Sequence, residues 1–369
     1  MKITLGEVGT YINGYAFKPS DWGTSGLPII RIQNLTNQNT EPNYFDGPYN
    51  SKFEVNKGDI LIAWSGSLGI HIWQKNKALL NQHIFRVEFN KCDIDKMYFY
   101  YAVKYNIHKM LHLTHGATMR HIIKSDFEQI IIPYPSLEAQ AKISKVLNYL
   151  DQNIINYRNI LINLELLIKS RFVEMFGDPN ASRTKYKLVP IHMVTGCMVP
   201  GRDKPKSFTG EIPWITINDL NINGYTNKSK LGLGLTIDEV KEVNRKCVPQ
   251  GSVLMSCVGN LGLCSIASVD LVINQQLHSY QCNELINNLY LMYYLSFKNA
   301  YMNKVASSTT VLYMNKNACN NIPVLLPPIE LQISFAKYLN QINKLKSDVE
   351  KSIDETQLLM DSLMQEYFG

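Results

Sequence analysis

Two segments of the chain repeat apolar residues at alternating spacings of three and four, which is the pattern of a coiled-coil helix. The repeating positions are Leu147, Leu150, Ile154, Tyr157, Leu161, Leu164 and Ile168 in the first segment, and Leu339, Ile342, Val349, Ile353, Met360 and Leu363 in the second. Lys346 and Thr356 interrupt the second series. Prolines precede both segments, at 135 and 327–328, and Gly177 follows the first. The pattern predicts two long helices, over 137–177 and 329–369.

The other segments, 1–136 and 178–328, contain short apolar runs bounded by Gly, Asn and Pro, which is typical of short strands. These runs include 28–32, 60–64, 84–89 and 130–132. We also expect a helix over 95–111, with a counterpart near 289–304. Each segment is therefore predicted to form a mixed, mostly β domain.

The chain is an internal duplication. It ends in EYFG, and EMFG stands 192 positions earlier, at 174–177. Without a gap, Gln140 aligns with Gln332, and both helices open Pro-x-[Leu/Ile]-Glu-x-Gln. GDILIAWSGSLG (58–69) likewise corresponds to GSVLMSCVGNLG (251–262). A period this long indicates duplication of a whole domain rather than a solenoid.

The predicted fold is α+β, with a pseudo-two-fold internal duplication. Two mixed, mostly β domains, 1–136 and 178–328, are separated by two long helices, 137–177 and 329–369. Two such helices in one chain pair most simply with each other, as an antiparallel coiled coil.

Further apolar residues flank the series in the first helix. They are Ile155, Ile160, Ile162, Leu166 and Leu167. Two accounts stay open: deeper burial against the globular domains, or a second apolar face that docks another protein.

Composition narrows the class of protein. The 369 residues are 45% hydrophobic and 18% charged, as in a folded globular protein. No stretch has the length of uncharged apolar sequence that a membrane span or a signal peptide needs. Seven cysteines without a CxxC pair indicate buried reduced thiols. We therefore expect a cytoplasmic protein with no membrane association.

The net charge of +6 is distributed unevenly. Residues 1–136 carry 14 Lys+Arg against 11 Asp+Glu, and residues 178–328 carry 14 against 9. The two predicted helices together have a charge of −2. The positive charge thus lies in the globular segments, which is compatible with a polyanionic partner there.

Motifs of catalysis are missing from the sequence. It contains no GxxxxGK[ST] phosphate loop, HExxH zinc motif or GxSxG elbow, and no Asn/Asp-Pro-Pro-Tyr/Phe string of an adenine methyltransferase. His112, His115 and His121 lie close together in sequence, but the second copy has no matching histidines. We expect no catalytic residue, no cofactor and no metal.

Polar loop residues are the candidates for binding DNA. A glycine turn can approach a phosphate, an amide can bridge two positions of adenine at the start of a strand, and arginine fits guanine or phosphate. The candidates are Ser65, Ser67, Asn81, Gln82, Thr118, Arg120, His121, Arg202, Lys204, Lys206, Asn260, Asn274, Gln275 and Thr310. Plain β-turns, turn-capping amides and a solvated basic loop over 202–206 are the alternatives.

The order of domain, Pro-x-Leu-Glu-x-Gln helix ending in Phe-Gly-Asp, second domain and Pro-Pro-Ile-Glu-x-Gln helix resembles the specificity subunit of type I restriction–modification systems. The resemblance implies that each globular domain is a target-recognition domain, reading half of a split, asymmetric site on double-stranded DNA. It also implies that the helix pair sets the spacer and docks two methyltransferase subunits. These would carry the S-adenosylmethionine chemistry, and motor-nuclease subunits would join them for cleavage.

Two other functions stay open. One is a coiled-coil scaffold protein whose domains bind protein or carbohydrate. The other is a fused DNA methyltransferase, against which the missing tetrapeptide counts.

Overall fold

A computed structural model of the chain describes residues 1–37, 40–111, 122–181, 183–201, 203–308 and 311–369. The chain forms two compact units: unit 1 comprises residues 1–159 and 349–369, and unit 2 comprises residues 160–348. The boundary passes through both long helices, so each unit contains one globular segment and part of each helix.

The described residues of unit 1 form three small sheets, several helices and the beginning of one long helix. Its elements are β1 (Lys2–Thr4), α1 (Leu5–Val8), β2 (Thr10–Asn13), β3 (Leu27–Ile30), α2 (Ile32–Thr36), β4 (Asn43–Phe45), β5 (Glu54–Val55), β6 (Ile60–Ala63), β7 (Gly69–Ile72), β8 (Ala78–Leu80), β9 (Ile84–Glu88), α3 (Lys96–Leu111), α4 (Lys124–Glu128), β10 (Ile131–Pro133) and the start of α5 (Leu137–Phe176). The described strands pair in the orders β2-β9-β6-β7, β4-β3-β8-β5 and β1-β10. The pairs are antiparallel except β3 with β8.

Unit 2 repeats most of this plan. Its elements are β11 (Lys187–Pro190), β12 (Thr195–Met198), β13 (Ile212–Ile215), β14 (Tyr225–Thr226), β15 (Gly234–Leu235), α6 (Ile237–Glu242), β16 (Val253–Ser256), β17 (Cys264–Ala267), β18 (Val272–Ile273), β19 (Leu277–Cys282), α7 (Asn288–Ser296), α8 (Asn299–Val305), β20 (Ser307–Ser308), β21 (Leu312–Tyr313), α9 (Lys316–Asn320), β22 (Pro323–Leu326) and α10 (Ile329–Phe368), whose end belongs to unit 1. Short 3₁₀ helices complete both units, at Pro19–Asp21, Ser51–Phe53, Ile191–Met193 and Ile217–Asp219.

Most strands of the two units correspond. The order β12-β19-β16-β17-β14 of unit 2 matches β2-β9-β6-β7 of unit 1 with one strand added. The parallel pair β13 with β18 matches β3 with β8, and β11 with β22 matches β1 with β10. The duplication predicted from the sequence is therefore present in the fold, and so is the mixed, mostly β character of each globular segment.

The apolar series of the long helices faces inward in both units. In unit 1, Leu147, Leu150 and Ile154 of α5 share a core with Met360 and Met364 of α10. In unit 2, Ile168 and Phe172 of α5 share a core with Phe335, Leu339 and Ile342 of α10. In unit 1 the N-terminal part of α5 thus packs with the C-terminal part of α10. In unit 2 the C-terminal part of α5 packs with the N-terminal part of α10. This is the antiparallel pairing that was predicted.

The interruption at Lys346 has a structural explanation. Its ammonium group forms an ion pair with the carboxylate of Glu165 on α5, and both side chains are largely shielded. The Thr356 hydroxyl donates to the Ser352 carbonyl oxygen at 2.6 Å, within its own helix. Both polar groups are therefore satisfied at positions where the series would otherwise be apolar.

The repeated glutamine of each helix joins the helix to a globular segment. Gln140 Nε2 donates to the Pro135 carbonyl oxygen (2.9 Å), and its Oε1 accepts from the backbone N–H of Asp95 (2.9 Å). Gln332 Nε2 donates to the carbonyl oxygens of Pro327 (2.8 Å) and Leu285 (3.1 Å), and its Oε1 accepts from the N–H of Asn287 (2.9 Å). Both side chains are fully buried.

The repeated Glu-x-Phe-Gly strings anchor the helix ends. Phe368, at the end of α10, packs on Tyr98 of α3 with ring centroids 5.2 Å apart. Phe176, at the end of α5, packs on Tyr290 of α7 at 4.8 Å. Each helix therefore ends against the globular segment of the other repeat, and this exchange gives the duplication its pseudo-two-fold character.

Several local predictions were wrong. The run 28–32 is divided between β3 and α2, because Asn34 Oδ1 accepts from the Arg31 N–H (3.0 Å) and starts a helix there. The single helix expected near 289–304 is two helices, α7 and α8. They separate at a tight turn where the Lys298 ammonium group turns inward to the Pro179 carbonyl oxygen (2.5 Å).

Burial of the flanking apolar residues was the wrong account. Ile155, Ile160, Ile162, Leu166 and Leu167 are all exposed. The cysteines follow their prediction only partly: all are free thiols, but only Cys257, Cys264 and Cys319 are buried, and Cys247 is exposed. Within the described ranges, no helix is both long enough and apolar enough to cross a membrane.

Candidate nucleic-acid interface

Three separate segments of unit 1 meet beside the β6–β7 turn. The Trp64 N–H donates to the His83 carbonyl oxygen (3.3 Å), and the Ile122 N–H donates to the Trp64 carbonyl oxygen (3.0 Å). A fourth segment joins at Tyr15, whose carbonyl oxygen accepts from the Gln82 N–H (3.0 Å). Residues far apart in sequence thus form one loop cluster at the end of the sheet.

Unit 2 builds a matching cluster with two equivalent backbone hydrogen bonds. The Cys257 N–H donates to the Gln276 carbonyl oxygen (2.8 Å), and the Met314 N–H donates to the Cys257 carbonyl oxygen (2.9 Å). The fourth segment is joined at Gly201, whose carbonyl oxygen accepts from Gln275 Nε2 (3.3 Å). We call this set of segments the loop cluster of each unit.

The glycine turn of each cluster has a left-handed residue at its tip. Gly66 has φ 67° and Gly259 has φ 71°, and a side chain at either position would point into open space. Glycine is needed here for its backbone conformation, not to relieve crowding. Ser67 and Asn260, which follow these glycines, are exposed.

The amide pairs lie in turns between strands rather than at strand starts. Asn81 and Gln82 separate β8 from β9, and Asn274 and Gln275 separate β18 from β19. Asn274 caps its turn: Oδ1 accepts from the Gln276 N–H (3.0 Å) and Nδ2 donates to Gln276 Oε1 (2.9 Å). Turn capping therefore accounts for Asn274 within the folded chain.

The remaining candidates differ in accessibility. Ser65 is 3% exposed and Asn81 is 7% exposed, so neither offers its side chain to a ligand. Gln82 is half-buried and Gln275 is exposed. Lys204 is exposed, and Lys206 is exposed but forms an ion pair with Glu242 (3.2 Å). Thr118, Arg120, His121, Arg202 and Thr310 lie outside the described residues, as do His112 and His115.

Burial keeps histidines near the clusters neutral at physiological pH. Burial lowers the pKa of His83, and the positive charge of Arg31 lowers it further. The pKa of His278 on β19 is lowered to about 4 by burial and then by the charge of Lys316. Neither ring therefore adds positive charge to a DNA-binding surface.

Sequence reasoning missed the segment that completes each cluster. Tyr15 and Gly201 contribute backbone carbonyls, and no local pattern distinguishes a carbonyl that will accept from a distant amide. In the part of the chain that the structure describes, no group of three or more His, Cys, Asp or Glu side chains is arranged to hold a metal ion.

Comparison with known proteins gives a consistent result. The family model of the type I restriction modification DNA specificity domain matches residues 1–166 and 196–356. The chain is 22% identical over 409 residues to the type I restriction enzyme EcoBI specificity subunit of Escherichia coli, covering 99% of this chain and 84% of that protein. It is 23% identical over 360 residues to the putative type I restriction enzyme MjaX specificity subunit of Methanocaldococcus jannaschii, covering 89% and 84%.

Solved structures share the fold. The crystal structure of the type I restriction–modification S subunit from M. genitalium has a TM-score of 0.59 at 14% identity, covering 100% of this chain and 96% of that one. A chain from work on complex assembly and conformational transition of the type I restriction–modification system has a TM-score of 0.61 at 16% identity, covering 100% and 97%.

Proposed function

The chain belongs to the family of type I restriction–modification DNA specificity domains, and from this premise we propose that it selects the DNA sequence for a type I restriction–modification complex. The target-recognition domains would be 1–136 and 178–328, each reading one half of a bipartite, asymmetric site on double-stranded DNA. The helical segments 137–177 and 329–369 would set the spacer between the halves.

The observation that carries this proposal is the repeated loop cluster. Both units hold the same backbone hydrogen bonds, Trp64 to His83 and Cys257 to Gln276, around turns whose exposed side chains differ. Ser67 in one copy corresponds to Asn260 in the other. A constant frame with variable polar side chains suits two readers of different base sequences, because base contacts carry the specificity.

The exposed leucines of the long helices support docking of two methyltransferase subunits. Leu166 and Leu167 on α5 are 54% and 48% exposed, and their repeat counterparts Leu358 and Leu359 on α10 are 73% and 50% exposed. Paired exposed apolar side chains are characteristic of protein contact surfaces. Because the pair occurs once in each helix, the proposal is one methyltransferase subunit for each Leu-Leu pair, with motor-nuclease subunits added for cleavage.

We also propose that the chain has no catalytic activity of its own. Methyl transfer would need the S-adenosylmethionine site of the partner subunits, and the sequence lacks the methyltransferase tetrapeptide. The scaffold alternative requires domains that bind protein or carbohydrate. It predicts no salt-dependent binding to DNA, whereas a DNA reader loses affinity as salt rises.

Methylation mapping tests the function directly. The chain is produced with its methyltransferase subunits, and methylated adenines are mapped on genomic DNA. We expect a motif of two short defined sequences separated by an undefined spacer. Methylation by the isolated chain would instead establish a fused methyltransferase. A single continuous motif would contradict the assignment of one half-site to each unit.

The stoichiometry of the complex tests the docking surfaces. We expect Leu166→Gln combined with Leu167→Gln to remove one of two methyltransferase subunits, and the same changes at Leu358 and Leu359 to remove the other. Native mass spectrometry counts the bound subunits. Leu231→Gln is the control, because Leu231 is 81% exposed and lies outside the long helices. If a variant carrying all four Leu→Gln changes still binds two methyltransferase subunits, this docking model is wrong.

A further inference from the structure

Among the described residues of unit 2, three cationic side chains line a cavity of about 360 Å³. Arg245, Lys246 and Lys316 line it, together with Pro200, Gly201 and Ile273 among others, and no carboxylate side chain of the described residues does. The three cations come from separate parts of the unit: two follow α6 and one begins α9.

Arg245 is buried, and no carboxylate of the described residues pairs with it. Its side chain is held by two carbonyl oxygens, those of Asp203 (2.6 Å, from Nη2) and Ile273 (3.3 Å, from Nη1). The residue is only 7% exposed, its guanidinium lies 5.3 Å from the Trp214 ring centroid, and its Nε–H finds no acceptor in the described part of the chain. A buried guanidinium stays charged, and leaving that charge uncompensated is costly, so the site favours an anion.

The surroundings of Arg245 support this interpretation. Burial lowers the pKa of Arg245, and the negative charge of Asp203 acts in the opposite direction without forming an ion pair within the described ranges. Lys246 and Lys316 are exposed, and no ion pair to either is found among the described residues. Neighbouring lysines differ, since Lys206 pairs with Glu242 and Lys241 pairs with Asp238.

The cavity adjoins the loop cluster of unit 2. Gly201, which lines it, accepts the hydrogen bond from Gln275 Nε2, and Ile273 directly precedes the amide pair. An anion bound here would lie next to the turn proposed to read bases. Lysine and arginine beside a base-reading loop are the groups that hold the DNA backbone in register.

We propose that this cavity binds one phosphodiester group of the DNA backbone, with Arg245 as the buried cation and Lys246 and Lys316 as its exposed partners. The proposal rests on the DNA-reading function and adds a contact that positions unit 2 on the duplex. It assigns the site to unit 2 alone. The pairing of Val55 with Ala78 matches the bridge of Val248 with Leu271, which places Lys52 and Phe53 of unit 1 where Arg245 and Lys246 stand in unit 2. Lys52 is exposed and lies over the Phe53 ring, so it does not supply the buried cation that Arg245 supplies. Lys124, which begins α4 as Lys316 begins α9, forms an ion pair with Glu128 (3.7 Å).

Binding at several salt concentrations tests the proposal. The full chain carrying Lys246→Gln and Lys316→Gln is compared with a charge-matched control carrying Lys228→Gln and Lys187→Gln. All four lysines are exposed, so neither change disturbs a core. For the cavity variant we expect the slope of log affinity against log salt to become less negative by about 1 relative to the control, on both cognate and mixed-sequence duplexes.

Each outcome separates the cavity from the general function. Equal slopes and affinities for the two double variants, with wild-type binding still salt-sensitive, would overturn the phosphate site and leave the DNA-reading function standing. A wild-type chain without salt-sensitive DNA binding would overturn both.

Neutral backbone linkages give a second measurement. In a cognate duplex carrying one methylphosphonate at successive positions, wild type and the control should lose affinity at one linkage that leaves the cavity variant unaffected. If the cavity variant loses affinity at every position where wild type does, the assignment of a single phosphate to this cavity is wrong.

Discussion

Beside the amide pair of unit 1, a cavity of about 380 Å³ is lined by aromatic rings, among them Tyr15, Phe45 and Phe53. The cavity beside the amide pair of unit 2 is lined by Arg245, Lys246 and Lys316, among others. The backbone around both is alike, since the parallel pairs β3 with β8 and β13 with β18 lead into the same kind of amide turn. The cavity of unit 1 presents apolar ring faces, and the cavity of unit 2 presents positive charge.

This difference shows where the two repeats were free to diverge. The side chains that join the helices to the globular segments are kept, as at Gln140 and Gln332. At the cavities, by contrast, Phe53 of unit 1 stands where unit 2 has Lys246. A fold that reads two different half-sites needs this division, because the frame sets the spacing and the variable residues set the contacts. The comparison can be tested at conserved and at divergent positions.

The largest expected effect is at the conserved glutamines. Gln332→Ala leaves one buried N–H and two carbonyls without their partner, so we expect a loss of unfolding free energy on the order of 4 kcal/mol, at about 1–3 kcal/mol for each unpaired group. Gln140→Ala should cost less, because it breaks one bond fewer. Urea unfolding measures the loss, and peptide-resolved hydrogen exchange assigns it to a unit.

Exposed glutamines of the same helices are the controls. Gln152 on α5 and Gln357 on α10 are exposed and bond to neighbours on their own helix, Asn156 and Asp361, so their change to alanine should have little effect. If Gln332→Ala increases hydrogen exchange in unit 1 as much as in unit 2, the hydrogen bonds of Gln332 do not stabilise unit 2 alone.

A divergent core position should have the next largest effect, and it depends on pH. His278 pairs with Met255 across the sheet of unit 2, where unit 1 has Phe85 paired with Ile62. The pKa of His278 is about 4 in the folded chain, below the ordinary value of 6.5. The unfolded chain therefore takes up the proton first, and stability present above pH 6.5 is lost as the pH falls towards 4.

Replacing His278 with phenylalanine should remove this dependence. Since a pKa difference of one unit corresponds to about 1.4 kcal/mol, we expect the wild type to lose roughly 3 kcal/mol more than His278→Phe between pH 7 and pH 4. Denaturant unfolding across this range gives the difference. Leu231→Gln, a change at an exposed residue of the same unit that does not titrate, should follow the wild-type curve. Parallel curves for wild type and His278→Phe would show that His278 is not held neutral.

The predictable features of this fold are the periodic ones. Heptad spacing gave both long helices, and α5 and α10 begin and end within a residue of the expected limits. The ungapped repeat gave the duplication. The joints at Gln140 and Gln332 stand out in the sequence as repeated letters, but their role depends on acceptors and donors near residues 95 and 287, which only the folded chain brings close.

The candidate site was far less predictable. Ser67, Asn260 and Gln275 are exposed, as expected of polar residues in turns. Ser65 and Asn81 are instead buried by the strands beside them. Arg245 and Lys316 are 71 positions apart, and no local pattern links them. The break between α7 and α8 arises in the same way, from a contact between Lys298 and the distant Pro179.

The smallest expected effect concerns the glycine turns, where the two units should behave alike. Gly66 and Gly259 are both left-handed with open space around them, so a change of either to alanine should cost only the backbone strain, about 1 kcal/mol. Asparagine tolerates this conformation and should recover most of the loss. Gly196→Ala is the control, because its strand backbone is ordinary and its neighbours leave room. Thermal unfolding monitored by peptide-resolved hydrogen exchange measures the stability of each unit separately. If only one of the two glycine changes lowers stability, the two loop clusters have the same hydrogen bonds but differ in the backbone strain at their turns. The two units would then be equivalent in their hydrogen bonds alone.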